Sequence, residues 1–251
     1  MEVNSQDSKH FIDPHWLETI PGNTFFYPAA GNDIEEPIAV LNEHIGTFWF
    51  CDIYPTGGKG GALGRQLLSY QLMASETRGV LDAEIEVRQS EAGATYRHLE
   101  PGSVWDKYGR DDGRRICVVR RRGFGQIALV KEFSLRSLSV FMHRGDSRGE
   151  SGSNTYFLAN KQASYPPCAN LFSKLAERLT DRALIISDGS NSHFSWLRRF
   201  HGGGMSGKAA FEYHADRPAR EFGGFKWTCV GWLSHRYGPP LVWGLERQDR
   251  G

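Results

Sequence analysis

Long apolar runs are missing from this chain of 251 residues. No stretch reaches the roughly 18 consecutive apolar residues that a bilayer-spanning helix needs, so neither such a helix nor a membrane partner is expected. Cysteine is scarce. Cys51, Cys117, Cys168 and Cys229 lie far apart and form no C-x-x-C pair, which argues against a structural zinc site and for buried free thiols. His193 and His201 have no partner at metal-ligand spacing, so no metal is assigned. The chain has no G-x-S-x-G, no H-E-x-x-H and no EF-hand loop, leaving serine hydrolase, zinc protease and calcium sensor without support. Neither charge dominates: 30 Lys/Arg against 29 Asp/Glu leave a net charge of +1. There is also no internal repeat and no Gly/Ser linker. The polar, acidic start MEVNSQDSKHFIDPHW has no basic-then-apolar signal, so a cytoplasmic protein is expected.

With 39% hydrophobic residues the chain can build a core, and its length suits a single domain over residues 1–251. The clearest elements are short, continuous apolar runs followed by turn residues: TFFYP (24–28), TFWFCDI (47–53), LSVFMH (138–143) and ALIISD (183–188). Continuous rather than alternating runs suit parallel strands covered on both faces. Helices are expected between them, over Glu35 to His44 with Asp33 as N-cap, over Gly61 to Thr77 on the spacing of Leu63, Leu67, Leu68 and Leu72, and over Cys168 to Leu179. Alternating strands and helices predict a doubly wound, mostly parallel sheet of Rossmann-like α/β class. AEIEVRQ (83–89) alternates and reads as an edge strand. FKWTCVGWL (225–233) and PPLVWGLER (239–247) read as a closing antiparallel hairpin.

ICVVRRRGFGQIALVKEF (116–133) breaks the pattern. Two strand-like arms about Gly123-Phe124-Gly125 read as an arginine-rich β-hairpin inserted over residues 107–135. The basic bias runs from Lys107 to Arg148, eleven Lys/Arg against Asp111, Asp112, Glu132 and Asp146. Arg114, Arg115, Arg120, Arg121 and Arg122 are therefore either a phosphate- or nucleic-acid-binding face or a solvated hairpin.

Ligands of open α/β sheets sit beyond the carboxyl ends of the strands, where strand order reverses. Here the first run ends in PAAGND. Its small residues, Ala29, Ala30 and Gly31 after Tyr27 and Pro28, let the backbone approach a ligand, and the helix start after Asp33 offers N–H groups. The second run ends at Asp52, 21 residues beyond Gly31, a place where a carboxylate commonly holds ribose hydroxyls. The alternative is a simple turn and a loop cap. GGKGGALGR (57–65) is glycine-rich but lacks the spacing G-x-x-x-x-G-K-[ST], and with HGGGMSGK (201–208) it reads as a mobile loop. After LSVFMH comes the densest polar cluster, HRGDSRGESGSN. His143, Asp146 and Glu150 are candidate acids or bases. Arg144, Ser147, Arg148 and Asn154 are candidate substrate contacts, joined by Asp188 and Asn191 after ALIISD.

A first strand with PAAGND, a second ending in Asp52, later strands ending in HRGDS and ISDGSN and a closing hairpin together resemble the Rossmann-like S-adenosylmethionine-dependent methyltransferases. The resemblance spans most of residues 20–247 outside the arginine-rich segment. It implies S-adenosylmethionine as cofactor, with Gly31 and its neighbours at the amino-acid end and Asp52 at the ribose. The chain departs from the family at Ala29 and Ala30, which stand where further glycines are usual, and with no D-P-P-Y or N-P-P-Y after LSVFMH it lacks the amino-methyltransferase motif. Two readings follow: a methyltransferase-like enzyme of unassigned acceptor, or a module that binds a nucleotide or small-molecule signal without turnover.

Overall fold

The computed structural model describes residues 10–28, 30, 34–52, 72–81, 103–110, 113–122, 125–143, 171–187, 206–233 and 241–248. In chain order these form β1 (His10–Ile12), α1 (Pro14–Thr19), β2 (Thr24–Pro28), α2 (Glu35–Leu41), β3 (Thr47–Asp52), β4 (Leu72–Leu81), β5 (Ser103–Arg110) and β6 (Arg115–Arg122). They continue with α3 (Gly125–Glu132), β7 (Leu138–His143), α4 (Leu171–Arg178), β8 (Leu179–Ser187), α5 (Gly207–Ala215), β9 (Arg220–Phe222), β10 (Phe225–Leu233) and β11 (Leu241–Arg247).

All described strands join one 11-stranded sheet in the order β1-β10-β11-β8-β7-β2-β3-β6-β5-β4, with β9 paired to β10. The centre, β8-β7-β2-β3-β6, is parallel throughout. Antiparallel strands extend it on both sides, β11 beside β8 and β5 then β4 beside β6. Most strands thus run one way, with β1, β5, β9 and β11 opposed.

The parallel runs are apolar at successive positions because both faces are covered. On one face Phe25, Tyr27, Phe48, Phe50, Val118, Val140 and Ile186 pack with Trp16 of α1 and Ile38 and Leu41 of α2. On the other, Phe26, Trp49, Cys51, Val119, Phe141 and Ile185 pack with Ala128 and Leu129 of α3, Leu175 of α4 and Ala210 of α5. Alternate residues of each strand feed the two clusters, as the pleat requires. α1 starts where Asp13 accepts a hydrogen bond from the His15 N–H and proline stands at the first helical position, a combination that caps orphan donors and presets φ. Before β2 the chain turns at Gly22 with φ +82°, and a side chain there would lie 2.8 Å from the Ser139 Oγ. That hydroxyl is committed, donating to the Pro21 carbonyl at 2.8 Å.

Several expectations are corrected. The second arm of the expected arginine-rich hairpin is a helix: Gly125–Glu132 is α3, and only Arg115–Arg122 is a strand. β6 belongs to the parallel centre, beside β3, and its antiparallel partner is β5. The helix expected over Gly61 to Thr77 gives way, in its described part, to β4 from Leu72. Helical leucine spacing is overridden there by pairing with β5. Gly207 and Lys208, read as loop, open α5, with Ser206 accepting from the Ala209 N–H at 3.3 Å. At the N-cap position of α2 stands Ile34, with no side-chain cap bond. The expected edge strand 83–89, the start of the third expected helix and the loops 57–65 and 201–205 lie outside the described residues. The closing hairpin is present as β10 and β11, antiparallel with a bulge between Cys229 and Gly231.

Among the described residues no helix is long and apolar enough to cross a membrane.

Candidate functional site

Because β2, β3, β6, β7 and β8 are parallel, their carboxyl ends line one edge of the sheet. β2 ends at Pro28, in register with Cys51 of β3. The chain then stays against β3, since the Ala30 N–H donates to the Cys51 carbonyl at 3.0 Å. This bond holds Ala30 beside Asp52, the half-buried last residue of β3. On the far side of β2, Phe26 pairs with Phe141, and β7 runs two residues further to His143, which pairs in turn with Ser187 of β8. His143 is buried, 2% exposed. Ala30, Asp52 and His143 therefore come to one sheet edge.

Other candidates divide as follows. The Tyr27 side chain is fully buried, its ring 6.5 Å from Phe25 and 6.4 Å from Phe50. It serves the core. Pro28 and Ala30 are buried. Ala29, Gly31, Asp33, Arg144, Asp146, Ser147, Arg148, Glu150, Asn154, Asp188 and Asn191 lie outside the described residues. Among the described residues no cluster of three or more metal-ligating side chains occurs.

The five arginines do not form one exposed face. Arg114 and Arg115 are exposed at the start of β6, the end opposite the candidate edge, and Arg114 donates to the Glu43 carbonyl. Arg120 and Arg121 are each only 1% exposed. Successive strand residues point to opposite faces, so the two enter different halves of the core and neither can run along a nucleic-acid backbone.

Sequence reasoning missed where Arg121 goes. Its Nε donates to Glu132 Oε1 of α3 at 2.9 Å, with the Glu132 side chain fully buried. Arg121 is also in register with Cys51, which sets its charge beside that thiol. Burial dominates that thiol and pushes its pKa from 9.0 to about 12, against the opposing pull of the Arg121 charge and hydrogen bond. Cys51 is therefore a neutral structural thiol, like Cys229, whose pKa burial also raises to about 12. A usable signal was present: Gly125, Ala128, Leu129, Glu132 and Phe133 fall at i, i+3, i+4, i+7 and i+8, one face of a helix.

No family model, curated protein or solved structure matches this chain.

Proposed function

We propose that the chain binds an adenosine-type ligand, S-adenosylmethionine first among them, at the carboxyl edge of β2 and β3, and acts as a methyltransferase-like enzyme. The observation that carries this reading is the strand order. Counted among themselves in chain order, the parallel strands run third, second, first, fourth, fifth across the sheet. This is the order of doubly wound nucleotide-binding sheets, with helices on both faces. Strand order reverses between β2 and β7, so the crevice belongs where the PAAGND turn ends β2. The closing antiparallel hairpin, β10 with β11, fits the methyltransferase resemblance better than a dinucleotide dehydrogenase.

In this reading the turn brings backbone close to the ligand, and Asp52 accepts hydrogen bonds from ribose hydroxyls. His143, ending the strand across the reversal point, stands at the acceptor side with the polar segment that follows it. Methyl transfer asks little of the protein beyond alignment of the sulfonium methyl with an acceptor, so positioning would supply much of the rate. The missing turn glycines favour the second reading, a module that grips a nucleotide or related signal without turnover.

Calorimetric titration with S-adenosylmethionine, S-adenosylhomocysteine, NAD and ATP tests both. Micromolar binding of the first pair alone is the expected result. A response to NAD or ATP with silence from that pair refutes the enzyme and leaves the binding module. Silence from all four refutes an adenosine-type ligand in either reading.

A further inference from the structure

Arg121 and Glu132 form a buried ion pair inside an otherwise apolar cluster of Trp49, Cys51, Val119, Ala128, Leu129 and Phe133. Burying two charges costs more than their attraction commonly returns, and well-packed apolar residues of similar volume are often as stable or more so. Stability alone is a poor explanation for the pair. Its location supplies a better one. Arg121 lies one residue from the carboxyl end of β6, paired with Cys51, the residue before Asp52. Cys51 in turn accepts the Ala30 N–H on its carbonyl. A line of contacts thus runs from the last turn of α3 through Glu132, Arg121 and Cys51 to Ala30 after β2.

We propose that Arg121 and Glu132 are positioning residues for this edge: Glu132 fixes the guanidinium, the guanidinium fixes Cys51, and Cys51 holds both Ala30 and Asp52. The guanidinium suits the task because its planar fork serves two partners in a set geometry, here a carboxylate on a helix and a thiol on the neighbouring strand. In its ligand consequences the inference rests on the reading that this edge binds an adenosine-type molecule. Its structural part does not.

The discriminating variant is Arg121→Met with Glu132→Met, which removes both charges together. The expected result is an unfolding midpoint at or above that of the wild type, with Ala30 amide exchange, followed by NMR, about tenfold faster. Binding of S-adenosylhomocysteine should weaken about tenfold, the scale of one lost hydrogen bond. Wild-type protection of Ala30 in this variant overturns the proposal. Should the double variant not fold, Cys51→Ala cuts the line while sparing the ion pair. It should accelerate Ala30 exchange, and Cys51→Ser, which keeps an acceptor for Arg121, should restore protection. Equal exchange in both variants overturns the proposal as well. If the wild type binds no S-adenosyl compound, the ligand reading fails, and Ala30 exchange still decides whether the pair positions the turn.

Discussion

Arg121→Met alone should be among the most damaging substitutions in the described part of the chain. Arg121 is 1% exposed and the Glu132 side chain 0%, with 2.9 Å between Nε and Oε1. Removing the guanidinium leaves a carboxylate in a cluster with no access to water. One-sided loss of a buried pair costs about 3–5 kcal/mol, against about 0–1 kcal/mol for an exposed one. For a chain of this size each kcal/mol moves the midpoint by about 2–4 °C, so a fall of about 6–20 °C is expected. Urea denaturation with linear extrapolation should return the same loss at unchanged slope. Glu132→Met reverses the orphan and should cost a similar amount, whereas the double variant should return to wild-type stability or above. A loss under about 1 kcal/mol for Arg121→Met would show that water reaches the pair, and the reasoning from burial would fail with it.

Alkaline pH should expose the buried thiols. Cys51 and Cys229 have folded pKa values of about 12 against 9.0, so between these values the unfolded chain has lost protons that the folded chain keeps, and stability falls as pH rises. At pH 10 this amounts to about 1.4 kcal/mol per cysteine. The stability of Cys51→Ala between pH 8 and 10 should fall less than that of the wild type by this amount, and parallel curves would refute the burial. Gly231→Ala places a methyl 2.2 Å from the Phe11 carbonyl oxygen and 2.8 Å from the Ile12 Cα. It should push β1 from β10 at a cost of about 1–3 kcal/mol, whereas Gly224→Ala meets open space and pays only for its φ of +81°, about 1 kcal/mol. Equal urea midpoints for the two would contradict the register of β1. Asp52→Ala should weaken S-adenosylhomocysteine by about 1–3 kcal/mol in titration calorimetry, and an unfolded variant would instead mark Asp52 as structural.

Four of the five strands that build the centre were legible because burial on both faces leaves an unmistakable record: TFFYP, TFWFCD, LSVFMH and the ALIIS stretch of β8 are apolar at nearly every position. The candidate edge was legible for the same reason, since each run stops where the sheet stops. β4 and β5 were not. LMASETRGVL carries a glycine and an acid within its strand, and SVWDKYGR mixes charges with its apolar residues. What makes them strands is pairing at the edge beyond β6, a tertiary cause with little local trace. α1 was overlooked although Asp13-Pro14 is a helix-start signal, because the surrounding segment is polar and six residues are too few to display a period.

The misreading of the arginine-rich segment has one root, a choice of period. Ile127 to Val130 is a four-residue apolar run, and such a run fits strand and helix alike. Read as a strand, it folds back on ICVVRRR and puts the arginines on a solvated hairpin. Read with a period of 3.6, Ala128, Leu129 and Phe133 share a face with Glu132 and leave Val130 outside, as observed. An acid on an apolar face calls for a buried cation or a retained proton, because a lone carboxylate is costly there. Arg121 is that cation. The helical choice would therefore have predicted a buried arginine in the strand before it, and with it the tie from α3 to the edge that the small-residue turn and Asp52 occupy.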